Sequence, residues 1–198
     1  MKLKNKVAIV TGGGKGIGEE ISLGLAKEGA KVVVADLDKE NSSNVVKEIT
    51  KNSGDAIYVE TDVSNEVSVK KLISETINKF DQIDILINNA GIRHVKKLEK
   101  HDLNDWNDMI SVNLTGPYIC CQAVIPEMKK IGKGKIINFG SIASFMGRPD
   151  RVGYVAAKSG ILGLTRALAI DLKGTNINVN TICPGLISTP FNKKYAED

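Results

Sequence analysis

The sequence predicts a doubly wound α/β domain, and three observations carry that prediction. Short β-branched runs alternate with longer helical patterns along the 198 residues. The runs are apolar nearly throughout rather than at every second residue, as strands covered on both faces are. The first run leads straight into TGGGKGIG at 11–18, a glycine-rich turn that opens the first helical segment. A strand–helix alternation of this rhythm requires crossover connections, hence a parallel sheet with helices on both faces. No linker, repeat or low-complexity stretch divides the chain, so 1–198 reads as a single domain.

In chain order, the strands are KVAIVT (6–11), KVVVAD (31–36), AIYVET (56–61), DILINN (84–89), KIINFG (135–140) and INVNTI (177–182). Between them, apolar residues recur at helical spacing near 16–28, 40–52, 65–80, 103–131 and 152–173. The cluster KKIGKGK at 129–135 reads as a solvated turn before the fifth strand.

Composition narrows the function classes. A hydrophobic content of 42% with 25% charged residues is that of a soluble globular protein with a proper core. The formal charge of +4 and an aromatic content of 5% argue against a nucleic-acid surface, which would be more basic and interleaved with aromatics. No apolar run reaches the ~18 residues of a membrane span, and the N-terminal run is too short for a signal peptide. Three cysteines, Cys120 and Cys121 adjacent, give neither a disulfide framework nor a CxxC spacing, and His94 and His101 have no cysteine near them. A metal site is not expected, and the compartment expected is the cytoplasm.

The glycine-rich turn carries the first chemistry. Gly12, Gly16 and Gly18 allow a tight turn, close backbone approach to a pyrophosphate, and close helix–strand packing. The helix that follows offers unpaired N–H groups and a partial positive charge to the anion. A lone glycine run is weak, but strand–turn–helix context makes it a dinucleotide signal. Asp36 ends the second strand, 18 residues beyond Gly18. Its carboxylate can accept from both hydroxyls of an adenosine ribose and would repel a 2′-phosphate. Lys15 could pair with that phosphate, but the carboxylate is weighted more heavily. NAD is expected over NADP.

The second chemistry lies in GYVAAKSG at 153–160, which sets Tyr154 and Lys158 one helical turn apart on one face. With TGGGKGIG, Asp62-Val63, NNAG at 88–91, Asn113 in SVNLTG, Ser141 in FGSIAS and PGLIST at 184–189, the elements occur in order. Together they resemble the short-chain dehydrogenase/reductase (SDR) family in its compact branch, over essentially the whole chain. The resemblance implies a Rossmann fold, an NAD(P)-dependent oxidoreductase acting on CH–OH groups, and a homodimer or homotetramer built partly on the 152–173 helix. It implies a catalytic set of Asn113, Ser141, Tyr154 and Lys158. For the cofactor it implies Gly12, Lys15, Gly16, Ile17, Gly18, Asp36, Asp62, Val63, Asn89, Ala90, Gly91, Pro184, Gly185, Ile187 and Thr189, joined by Tyr154 and Lys158. Asp62 would meet the adenine amino group, Asn89 the adenosine ribose, and Ile187 and Thr189 the nicotinamide carboxamide.

Elementary electrostatics explains the Tyr–Lys pair. Hydride transfer at a carbinol carbon needs a proton to leave or join the oxygen, and a free phenol titrates near ~10. Bringing a phenol to ~7 requires about 4 kcal/mol of preference for phenolate. An ammonium ~4 Å away at an effective dielectric of ~20 supplies about that much. By the resemblance, Lys158 also bonds the nicotinamide ribose, and Asn113 ties a water to Lys158. Ser141, 13 residues before Tyr154 at the end of the fifth strand, can hold the substrate oxygen beside the phenol.

The chain departs from the family at its end. Members normally continue past PGLIST through a lid and a helix into a further strand, whereas this sequence ends at KKYAED. The C-terminal lid and last strand are therefore expected on a longer parent chain, the sixth strand otherwise being an exposed edge. The substrate expected is a secondary alcohol or ketone, with a polyol, sugar or sugar acid favoured, because Arg93, His94, Arg148 and Arg151 should flank the mouth. The alternative is a 3-oxoacyl-thioester reductase, whose family resemblance usually goes with NADPH. An alternative of another class is a nucleotide-sensing or interaction protein without catalysis, since fold alone does not establish function.

Overall fold

The computed structural model describes residues 1–193. Its strands are β1 (Val7–Thr11), β2 (Lys31–Asp36), β3 (Ala56–Glu60), β4 (Ile85–Asn88), β5 (Gly134–Phe139) and β6 (Ile177–Ile182). All pair in parallel, in the order β3-β2-β1-β4-β5-β6, with Val10 opposite both Val34 and Ile87. The helices are α1 (Gly16–Lys27), α2 (Lys39–Lys51), α3 (Glu66–Phe80), α4 (Leu103–Ile110), α5 (Gly116–Lys130), α6 (Val152–Asp171) and α7 (Pro190–Lys193). This is the doubly wound Rossmann arrangement that the sequence predicts.

Alternate strand residues serve opposite cores. Val7 and Ile9 of β1 join Leu72, Cys121, Val124 and Met128 from α3 and α5, while Ala8 and Val10 join Val45 and Ile49 from α2. Truncating a fully buried side chain such as Ile9 to alanine would cost about 2–5 kcal/mol. Short polar side chains set the helix starts. Asp38 caps α2 through Asn41 N, Asn65 caps α3, and Asp102 and Asp105 form a reciprocal capping box on α4. The N-cap of α1 is Lys15, which makes no side-chain cap, so that helix opens without one.

One expectation needs correction. The segment 103–131 is not one α-helix: α4 and α5 are separated by a π turn, Ser111–Thr115. The cause is in the sequence, because Pro117 has no N–H to return to the carbonyl of Asn113 and the i→i−4 ladder cannot pass this point. Asn113 sits in the widened turn, fully buried.

At the other end of the order, β6 is an edge of the sheet among the described residues, with Ile182 46% exposed. Among these residues no helix is long and apolar enough to cross a membrane.

Candidate active site

The strand order reverses between β1 and β4, where successive crossovers turn to opposite sides and a crevice opens beyond the carboxyl ends of the strands. A cleft of about 720 Å³ lies there. Every residue expected to bind cofactor or catalyse lines it except Gly18. Gly18 packs beneath it: a Cβ at Gly18 would stand 2.0 Å from the Gly12 carbonyl oxygen and 2.6 Å from Asn89 Nδ2. Gly12 and Gly16 have φ of +61° and +56°, where a side chain would strain the turn.

The phosphate end is held by the backbone. Asp36 Oδ2 accepts from Gly14 N at 3.0 Å and Oδ1 from Asp38 N at 3.0 Å, which fixes the carboxylate at the mouth of the glycine turn. Lys15 Nζ donates to Asp38 rather than standing free. Asn89 closes the floor, with Nδ2 donating to Thr11 O and Gly12 O at 3.0 Å each. The Asp62 carboxylate accepts from Ser64 N and Ser64 Oγ, holding the turn between β3 and α3.

These groups fit a dinucleotide. The uncapped N-terminus of α1 borders the cleft, and Asp36 is anchored there with carboxylate lone pairs to spare. At the other end, a Cβ on Gly91 would lie 2.8 Å from Asn113 Oδ1 and 3.6 Å from Lys158 Nζ. With glycine at 91, no side chain from that position stands against Asn113 Oδ1 and Lys158 Nζ. The side chain of Asn113 is otherwise engaged, donating to Ile92 O and Met109 O and accepting from Ile92 N.

Tyr154 and Lys158 share one face of α6, with Lys158 Nζ 5.9 Å from the centre of the tyrosine ring. Lys158 is buried and donates to Phe139 O at 2.7 Å. Burial pushes its ammonium down to about 8, against a smaller opposing influence from Cys183. Ser141 follows β5, its Oγ accepting from Ala143 N at 3.1 Å. Ser144 ties this turn to α6 by donating to Lys158 O at 2.7 Å, while accepting from Ser141 N.

At the mouth, Arg93, Arg148 and Arg151 line the cleft as expected, but His94 does not. Its Nε2 lies 3.7 Å from Asp108 instead. Arg93 stacks over Phe191 at 4.8 Å and donates to Asn192 Oδ1 at 3.3 Å. Leu186, Ile187 and Phe191 line the cleft while 85%, 44% and 40% exposed.

A family model described as short chain dehydrogenase matches residues 6–198. The chain belongs to that family. An "uncharacterized oxidoreductase" of Thermotoga maritima is 42% identical over 192 residues, 97% of this chain and 75% of that protein. A "3-oxoacyl-[acyl-carrier-protein] reductase" of Synechocystis is 43% identical, over 96% of this chain and 78% of the relative. The "(2S)-[(R)-hydroxy(phenyl)methyl]succinyl-CoA dehydrogenase subunit BbsD" of Thauera aromatica is 39% identical, over 96% and 77% respectively. This short-chain dehydrogenase is thus an oxidoreductase of CH–OH and keto groups, in a family that takes a nicotinamide cofactor.

Several residues of the dehydrogenase's cleft escape sequence reading. Leu37 lines it, and Asp38 meets it through Lys15. Both directly follow Asp36, and Asp38 could have been found as a helix N-cap signal. Ser144 gives no such signal, because its partner is a backbone carbonyl 14 residues away.

Proposed function

We propose that this dehydrogenase interconverts a 3-oxoacyl and a 3-hydroxyacyl thioester, using NAD in preference to NADP. The observation that carries the substrate is the character of the mouth. Exposed Leu186, Ile187 and Phe191 stand beside Arg93, Arg148 and Arg151. Apolar surface suits an acyl chain, and guanidinium groups suit the phosphate that thioester carriers bear. The names of two relatives, an acyl-carrier-protein reductase and a CoA-thioester dehydrogenase, support the same chemistry. A polyol or sugar would leave the apolar rim unused, so this reading displaces the polyol expectation.

When bound, the nicotinamide supplies or accepts the hydride. Tyr154 donates the phenolic proton to the substrate oxygen in reduction and removes it in oxidation. Lys158, charged below about pH 8 in this burial, stabilises the phenolate. Ser141 orients the substrate oxygen through its hydroxyl proton, while one of its two lone pairs accepts from Ala143 N. Position 91 puts no side chain against Asn113 Oδ1 and Lys158 Nζ, and a water held by those two groups would replace the proton. Asp36 carries the cofactor preference, because it would bond two ribose hydroxyls but repel a phosphate.

The test is turnover of acetoacetyl-CoA with NADH beside oxidation of a polyol and sugar panel with NAD. Acetoacetyl-CoA should give the higher kcat/KM. Superior turnover of a polyol would return the site to the earlier expectation.

The assembly proposed is a homodimer or homotetramer using the outer face of α6. Gly163 has open space around it and Ile170 is 71% exposed, whereas Ala157 is buried and Gly160 packs on Leu114 within the chain. A monomeric mass in light scattering would reject it.

A further inference from the structure

Two charges of opposite implication meet at the phosphate end. Lys15 is the one cation that the β1–β3 half contributes to the described cleft, and it stands in the glycine turn where a 2′-phosphate would seek a partner. Its Nζ is not directed to open cleft. It is paired with Asp38, two residues beyond Asp36 at the start of α2.

Asp38 is built to stay there. Its Oδ1 accepts from Asn41 N at 3.1 Å and its Oδ2 from Asn41 Nδ2 at 2.8 Å, so the carboxylate is fixed to the first turn of α2. Its own N–H donates to Asp36 Oδ1. Lys15 and, after it, these bonds from Asn41 hold the Asp38 carboxyl down at about 2, so it is ionised at any working pH. The two carboxylates therefore divide the glycine turn between them. Asp36 takes the amide of Gly14, and Asp38 takes the ammonium of Lys15.

We propose that Asp38 is a second determinant of cofactor choice, acting by occupying Lys15 so that its charge is not offered to a 2′-phosphate. This rests on the proposed NAD preference and adds a residue to it. Strength of the ion pair is not the reason. The side chains are 54% and 31% exposed, and pairs of that kind contribute little stability. What matters is the charge left behind: a phosphate that draws Lys15 away uncovers Asp38 beside itself, with Asp36 already facing it.

The site can be probed without turnover. Adenosine 2′,5′-bisphosphate and 5′-AMP differ only in the 2′-phosphate, and calorimetry on the full chain gives a Kd for each. In Asp38→Asn the amide oxygen still accepts from Asn41, so α2 keeps a good cap. The bisphosphate should then gain about tenfold relative to 5′-AMP, a change of about 1.4 kcal/mol. That gain should disappear when Lys15→Met is added. In the parent protein Lys15→Met alone uncovers the Asp38 carboxylate and should lower the bisphosphate's affinity relative to 5′-AMP, a result that can be read even if the Asp38 variant folds poorly.

A ratio unmoved by Asp38→Asn overturns the proposal. So does a gain that persists without Lys15, because Asp38 would then act only as a general repulsive charge. So does a ratio left unchanged by Lys15→Met in the parent, since an uncovered Asp38 would then exert no charge on the phosphate. The underlying NAD reading fails separately, if the parent protein binds the bisphosphate as tightly as 5′-AMP.

Discussion

The two ends of the cleft are held by different means. At the β1–β3 end the site is built from backbone: Asp36 is gripped by two amides, Asn89 spans two carbonyls, and three glycines are packed or turned where no side chain fits. At the β4–β6 end it is built from side chains that reach across gaps, with Arg93 lying on Phe191 and exposed apolar groups at the rim. The first end is shaped before any ligand arrives. The second leaves contact surface for something else to cover. A fixed anion cradle beside an adaptable mouth is what one family needs to combine a constant cofactor with variable substrates.

The sharpest test of that contrast sets one variant at each end. Tyr154→Phe should lower kcat by about 10²–10⁴, the usual worth of a general acid–base group, with cofactor affinity nearly intact. Gly18→Ala should act through the fold instead. Its Cβ would overlap the Gly12 carbonyl at 2.0 Å, so helix and turn must separate, destabilising the protein by about 1–3 kcal/mol and loosening the cofactor. Denaturant unfolding and single-turnover kinetics read the two effects apart. A stable Gly18→Ala protein with normal cofactor affinity would break the claim that this end is set by packing.

Next in size is a pH effect centred on Lys158. Its folded value of about 8 lies below the ordinary lysine value of 10.5, so folding disfavours the ammonium. The sign follows from proton linkage: the penalty is fully present below about pH 8 and is relieved as pH rises from there towards 10.5. Relative to Lys158→Met, the parent should therefore gain up to about 3 kcal/mol across that window. Activity should move the other way, because the neutral amine no longer favours phenolate. A stability difference that stays flat from pH 7.5 to 10 would show that the ammonium is better solvated than its burial implies.

The same contrast governs what could be read from sequence. Backbone-built features are local, and residues such as Gly12, Gly16 and Asp36 announce themselves by type and spacing. The strands too were legible, since apolar β-branched runs bounded by turns leave few options. The π turn is not legible from periodicity, because the helical spacing across 103–131 is continuous past the one N–H that Pro117 lacks. Ser144 and the Phe139 carbonyl hold Lys158 from 14 and 19 residues away, and only the fold brings them together. His94 was misplaced for a related reason: adjacency to Arg93 says nothing of which way a loop turns each side chain.

The smallest effect expected concerns the bridge at the mouth. Arg93, just past β4, stacks on Phe191 of α7 and donates to Asn192, whose Nδ2 in turn donates to Ile187 O at 2.7 Å. The bridge thus joins the NNAG side of the cleft to the 184–193 segment that carries the apolar rim. A partly exposed cation–π contact is worth about 0.5–1 kcal/mol. Phe191→Leu keeps apolar volume but removes the ring face, so it should raise KM for an acyl thioester about two- to fivefold while kcat stays near the parent value. Phe191→Tyr retains the face and should behave like the parent. Loss in kcat rather than KM would mean that the bridge orders the catalytic residues themselves, and the division between a fixed end and an adaptable mouth would have to be redrawn through Arg93.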